Sequence, residues 1–167
     1  GETSPMVDVG FRVVISFIEN GKKPFKPFGT KKISQNFYMD ESEVTNFMWK
    51  EYLSWLAKTH GKESTQYKQA LPDTNVWSTH LKYEAPYKRL YFMHVAFNNY
   101  PVVGISYEQA INFCKWRTDR VKEYIEMNGK TSFPENFKYR LPTKKEWEDV
   151  AKICLLYTSP SPRDRYI

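Results

Sequence analysis

The side chains in this chain best suited to chemistry are few: Cys114 and Cys154, His60, His80 and His94, and the clustered carboxylates Asp40, Glu41 and Glu43. The histidines have neither the i, i+4 spacing nor the flanking carboxylate of a helical metal motif, so a metal site from them requires the fold to gather them. The carboxylates could bind a cation, but they follow an apolar run and read first as the solvated end of a strand. Two cysteines are too few for a disulfide-built mini-protein or a four-cysteine zinc site. Cys114 falls on the apolar face of a helical pattern and reads as a buried, inert thiol. On these grounds no catalytic, cofactor-binding or metal-binding residue is identified.

The elements that would position these residues are legible in part. Val7–Ile18 is apolar and β-branched and reads as a strand. Asn20-Gly21 gives a turn, Lys22–Phe28 an extended basic stretch with two prolines, and Ile33–Met39 a second strand. Helix starts are clearer. Thr45 caps a helix running to about His60, with Trp49, Tyr52, Leu53 and Leu56 on one face and Gly61 ending it. Ser106 and Gln109 form a capping box for a second helix, whose inner face holds Ala110, Phe113, Cys114, Arg117, Val121 and Tyr124, with Gly129 as its stop. Thr143 and Glu146 start a third, with Trp147, Val150 and Ala151 facing inward. Between the first two helices, Thr65–Asn99 is dense in rings (Tyr67, Trp77, Tyr83, Tyr87, Tyr91, Phe92, Phe97, with Tyr100 just beyond) and reads as a long loop pinned to the core by them.

The 167 residues suit one domain, or most of one. A 41% hydrophobic share beside 26% charged residues excludes wholesale disorder. The longest apolar stretch, around Val13–Ile18, falls far short of the ~20 residues of a membrane helix. A net charge of +6 permits contact with nucleic acid or membrane, but no nucleic-acid motif accompanies it. The lysine pairs at 22–23, 31–32 and 144–145 read as solvated surface, and the aromatic run as ring-pinned loop rather than a base-stacking platform.

Three stretches, in order, resemble the formylglycine-generating-enzyme family, also called the sulfatase-modifying-factor domain. Phe37–Asn46 carries Glu43-Val44-Thr45-Asn46 at a helix start. Tyr100–Trp116 carries Pro101, Val102, Ser106, Ala110, Phe113, Cys114 and Trp116 in the family's spacing, with Tyr107 where the family has Trp. Tyr139–Glu148 carries Arg140-Leu141-Pro142-Thr143 and Glu146-Trp147-Glu148. A subgroup similar to gliding-motility and secretion-associated lipoproteins is suggested by residues 70–77, 84–87, 98–101 and 116–120. The resemblance implies a mixed α/β (α+β) fold with C-type-lectin-like ancestry and little regular structure. Its motif residues have structural roles: Thr45, Ser106 and Thr143 as caps, Pro142 setting the approach to the third helix, and Arg140 pairing with Glu43 or Glu146.

The family's enzymes use a cysteine pair in the C-terminal half to bind copper, and with oxygen they oxidise a substrate cysteine to formylglycine. Nothing in this chain matches that pair. The expectation is therefore a fragment without identifiable catalytic residues, with a binding or envelope-assembly role and protein partners in the cell envelope. The alternative is a copper- and oxygen-dependent oxidase whose cysteines lie further along. A three-histidine iron site, as in related oxygenases, would need His60, His80 and His94 together.

The ends are read separately. Asp8–Val14 resembles the family's C-terminal closing strand yet comes first, so residues 1–23 read as a leader, the remnant of an upstream copy, before a domain portion at 24–153; a joining error or a rearranged domain would give the same order. Residues 154–164 resemble the translation of a transposase-type sequencing adapter, so 154–167 read as not native; a Ser/Pro-rich tail would have the same composition. Without them two Arg and one Asp are lost, the charge becomes +5, and Cys114 stands alone with no disulfide partner.

Overall fold

A computed structural model describes residues 10–17, 27–34, 36–77, 88, 90–129, 134 and 136–156, with side chains as far as Lys152. Four short strands, β1 (Val14–Ser16), β2 (Thr30–Ser34), β3 (Phe37–Asp40) and β4 (Lys138–Arg140), form one antiparallel sheet in the order β2-β3-β1-β4. The described helices are α1 (Asn46–His60), α2 (Thr65–Gln69), α3 (Tyr107–Asn128) and α4 (Lys144–Leu156). The architecture is mixed α+β.

Side chains alternate across a strand, so a sheet covered on both faces needs an unbroken apolar run. Val13-Val14-Ile15 is such a run, and all three are fully buried. Val13, Ile15 and Phe17 join Tyr38 and Tyr139 in the main core, while Val14 turns to the other face with Met39 and meets Val150 of α4. In register, Ile15 stands between Tyr38 and Tyr139, and Val14 between Met39 and Arg140. β1, which falls within the residues read as a leader, is an inner strand of the sheet. Gly10 is packed so closely that an added Cβ would collide with the Glu43 carboxylate and the Pro101 ring.

The helices follow their caps. Thr45 Oγ1 accepts from the Met48 N–H, Ser106 and Gln109 satisfy each other's backbone N–H groups, and Gly129 ends α3 in the left-handed region. Trp49, buried on α1, stacks on Phe113 of α3 at 5.2 Å, with Phe11 edge-on to both at 6.1 Å. Trp49 Nε1 donates to the Ala70 carbonyl, drawing the chain after α2 onto the core.

Several expectations are corrected. The second strand, read over Ile33–Met39, is two: β2 ends at Ser34 and β3 begins at Phe37, and they pair antiparallel. The 65–99 region is not all loop: it contains α2 and two 3-10 turns, Thr74–Trp77 and Val95–Phe97. Tyr83 and Tyr87 lie outside the described residues, whereas Trp77, Phe97 and Tyr100 all pack around Tyr91 within 6.3 Å. On α3 the buried stripe passes through Thr118 instead of reaching Tyr124, which is half exposed. The Thr118 hydroxyl explains this: it donates to the Cys114 carbonyl and accepts from the Tyr139 N–H, so α3 sits over β4 at that point. Among the described side chains of α4 only Val150 is buried; Trp147 is 46% exposed and Ala151 faces solvent, because Val14 and Met39 present a narrow apolar strip.

Candidate functional site

The motif residues converge on two structural junctions. The first is built on Glu43–Asn46. Val44 N–H donates to the Phe11 carbonyl, Val102 N–H to the Val44 carbonyl, Asn46 N–H to Tyr100 and Phe47 N–H to Asn98. Thr45 and Pro101 form an isolated bridge. The Asn46 side chain, fully buried, donates from Nδ2 to the carbonyls of Tyr91 and Phe97 at 3.1 and 2.9 Å. One side chain therefore fastens both ends of the 91–97 turn region to the start of α1.

The second junction follows Arg140. Of the two carboxylates the sequence offers it, Arg140 takes Glu146 in a bidentate pair with both contacts at 2.7 Å. Glu146 also accepts from the Thr143 N–H, while Thr143 Oγ1 accepts from the Glu146 N–H, which completes the capping box. Leu141 and Pro142 are half-buried between the two, and Glu148 is exposed. The Arg140 hydrogen bonds hold the Glu146 carboxyl down at about 2, from an ordinary 4.5. Because the folded value is the lower one, this stability is present above pH 4.5 and drains away as pH falls toward 2. We expect Glu146→Gln to flatten the decline of the melting temperature across that acid window, measured against the unsubstituted chain.

The carboxylate cluster does not act as a unit. Glu41 is exposed and Glu43 lies against Gly10, but Asp40 is only 5% exposed and pairs with Arg117 through two bonds of 2.6 and 3.0 Å. It is neither a solvated strand end nor a free cation ligand. The Arg117 guanidinium also lies 4.4 Å from the centre of the Tyr139 ring. Burial pushes the Asp40 carboxyl above its ordinary range, against the pull of Arg117, while Asp40 keeps Arg117 firmly protonated.

The thiol and the imidazoles are likewise separated. Burial pushes Cys114 up to about 12. Cys154 falls in the last turn of α4, where side chains lie outside the described residues, as does the whole of His80. His60 closes α1 edge-on to Trp55, whereas His94 Nδ1 accepts from the Ala96 N–H beside the first half of α1, where Lys50 reaches the Met93 carbonyl. Since 15 helical residues span ~22 Å, these two imidazoles sit toward opposite ends of one helix. Among the described residues, no group of three His, Cys, Asp or Glu is placed to hold a metal ion. No described helix is long and apolar enough to cross a membrane.

What the fold does assemble is a groove of about 280 Å³ between α1, α2 and α3. Tyr52, Trp55 and Leu56 come from α1, Gln66 and Gln69 from α2, and Gln109, Asn112, Lys115, Trp116 and Asp119 from α3. On α3 the spacing 109, 112, 116, 119 is one helical stripe beside the buried one. Gln109 is committed to structure: its Nε2 donates to the Gln69 and Leu71 carbonyls and its Oε1 accepts from Ser106. Trp116 has a ring packed 5.1 Å from Tyr52 and 5.4 Å from Phe113, and its indole Nε1 has no partner among the described residues. The sequence marks Trp116 as a motif residue but not the groove. The usable signal is a polar stripe, Asn112 to Asp119, running alongside an apolar one.

No curated protein and no solved structure matches this chain. One family model does, that of the sulfatase-modifying factor enzyme 1-like domain, over residues 17–154. Its matched span includes β2 to β4 and all of the described helices except the final two residues of α4. The four-stranded sheet and its flanking helices are consistent with the family's C-type-lectin-like fold, and a match over most of its length places the chain in the sulfatase-modifying factor enzyme 1-like domain family.

Proposed function

We infer that this domain is a binding module. The observation that supports this is the state of Cys114. A Cu(I) site of the family's kind needs two thiolates, which are soft ligands and must be deprotonated. Cys114 is 3% exposed, its thiol is held protonated at neutral pH, and no other described side chain offers a thiol. The described residues do not fit copper, and no chemical step is assigned to them. The groove between α1, α2 and α3 is then the place for a ligand, because it combines aromatic walls with polar side chains that bond to no other described residue. A cell-envelope setting with protein partners is supported by the subgroup resemblance of residues 70–77, 84–87, 98–101 and 116–120.

The test is a Cu(I) titration of the purified chain against a competing chelator, together with an oxygen-dependent assay on a cysteine-containing peptide. The expected result is neither stoichiometric copper nor peptide oxidation. Stoichiometric Cu(I) that is lost in Cys114→Ser, or formylglycine in the peptide, would reverse the assignment in favour of the oxidase.

A further inference from the structure

We propose that the α1–α2–α3 groove is a saccharide subsite that takes one flat, all-equatorial pyranose residue of a neutral β-linked glycan. This rests on the binding-module reading above and gives that site its ligand class.

The first argument is the wall chemistry. Trp116 lies 5.1 Å from Tyr52 and 6.5 Å from Trp55, ring centre to ring centre, so one side of the groove is a cluster of aromatic surface. An all-equatorial pyranose carries only axial C–H groups on its two faces, and such a face suits an aromatic wall. Its hydroxyls lie around the edge and need partners that both donate and accept.

The rim supplies them. Gln66 and Asn112 each offer a carbonyl acceptor and an amide donor, Lys115 only donates and Asp119 only accepts. None of these four side chains bonds to another among the described residues, and Asn112, Lys115 and Asp119 are exposed. A mixed rim of this kind matches hydroxyls better than it matches a phosphate or an ammonium ion. Lys115 and Asp119 oppose each other in sign, so the groove has no net field to select an ionic ligand. An ammonium ligand is further disfavoured because the Arg120 guanidinium already lies 4.8 Å from the Trp55 ring centre.

Size and backbone complete the argument. About 280 Å³ lies at the small end of ligand sites and suits one ring and part of its neighbour. The walls come from helices whose backbone groups are already engaged, so no strand edge is offered to an extended peptide.

The experiment titrates the full 167-residue chain with cellotetraose and with chitotetraose, following tryptophan emission and amide NMR shifts. We expect saturation by at least one of them with Kd at or below about 1 mM. Asn112→Ala and Asp119→Ala are expected to weaken it at least about tenfold with an unchanged thermal melt. Trp55→Ala should also weaken binding, with Trp55→Phe retaining most of it. No saturable response from the folded chain, or a response indifferent to Asn112→Ala and Asp119→Ala, would overturn the saccharide subsite. Shifts at Asn112 and Asp119 on titrating a mixed-sequence peptide, with none from either tetrasaccharide, would also overturn it while leaving a binding module in place. Copper loading or peptide oxidation would strike the module reading itself, through a separate measurement.

Discussion

Arg117→Met should cost this protein about 3–5 kcal/mol, and changing Asp40 to Ala in the same chain should return a good part of that loss. The single substitution leaves a carboxylate at 5% exposure without its bidentate partner, and a buried charge with no counter-ion is worse than no charge. The double substitution removes both desolvated groups and keeps much of the apolar contact of position 117 with Tyr139. For a chain of this size the single change lowers the melting temperature by roughly 10 °C. A pH series adds a sign test. Burial already raises the Asp40 carboxyl, and losing Arg117 raises it further, so Arg117→Met should recover part of its deficit as pH falls and Asp40 protonates. Equal costs for the single and double variants, measured by denaturant melts at one temperature, would show that the pair is not the link between sheet and helix described above.

The second large effect is expected at Asn46. Asn46→Asp preserves shape but places a carboxylate oxygen against the Tyr91 and Phe97 carbonyls, in a site with no exposure. Each buried carbonyl left without its donor costs ~1–3 kcal/mol, and the repulsion adds to that, so the variant should be unfolded or close to it at neutral pH. Asn46→Ala, which creates the same orphans without the charge, should be destabilised by ~2–5 kcal/mol and remain measurable. The readout is hydrogen exchange at the amides of residues 95–102, which should rise in Asn46→Ala ahead of those in α3. A uniform rise across both regions would mean that Asn46 does not fasten the 91–102 segment in particular.

What the sequence discloses depends on how local the cause is. The cap residues Thr45, Ser106 and Thr143 act within one turn, and each marks its helix start correctly. The β2–β3 pair is hidden because the break between Ser34 and Phe37 falls within a run that otherwise reads as one strand. β4 is three residues long, and three residues cannot display an alternation. Arg117 was visible on an apolar helical face, and a guanidinium there implies a buried anion. What no local pattern could supply was that the anion would be Asp40, at the end of a strand 77 positions earlier. The groove is hidden for the same reason: its aromatic wall comes mainly from α1 and its rim from α2 and α3, and only packing brings them together.

The position of β1 has a consequence in time. Its partner across one edge is β4, and the Arg140–Ser16 side-chain bond spans 124 positions of sequence. Closing so long a loop is slow, so the sheet's last inner edge should form late, after the β2–β3 pair and the capped helices have taken shape. During synthesis from the N-terminus, Val13-Val14-Ile15 emerges before any strand that covers it, and must remain soluble until β3 and then β4 arrive. The interval between these two events, set by chain elongation, is when this protein is most exposed to misassociation.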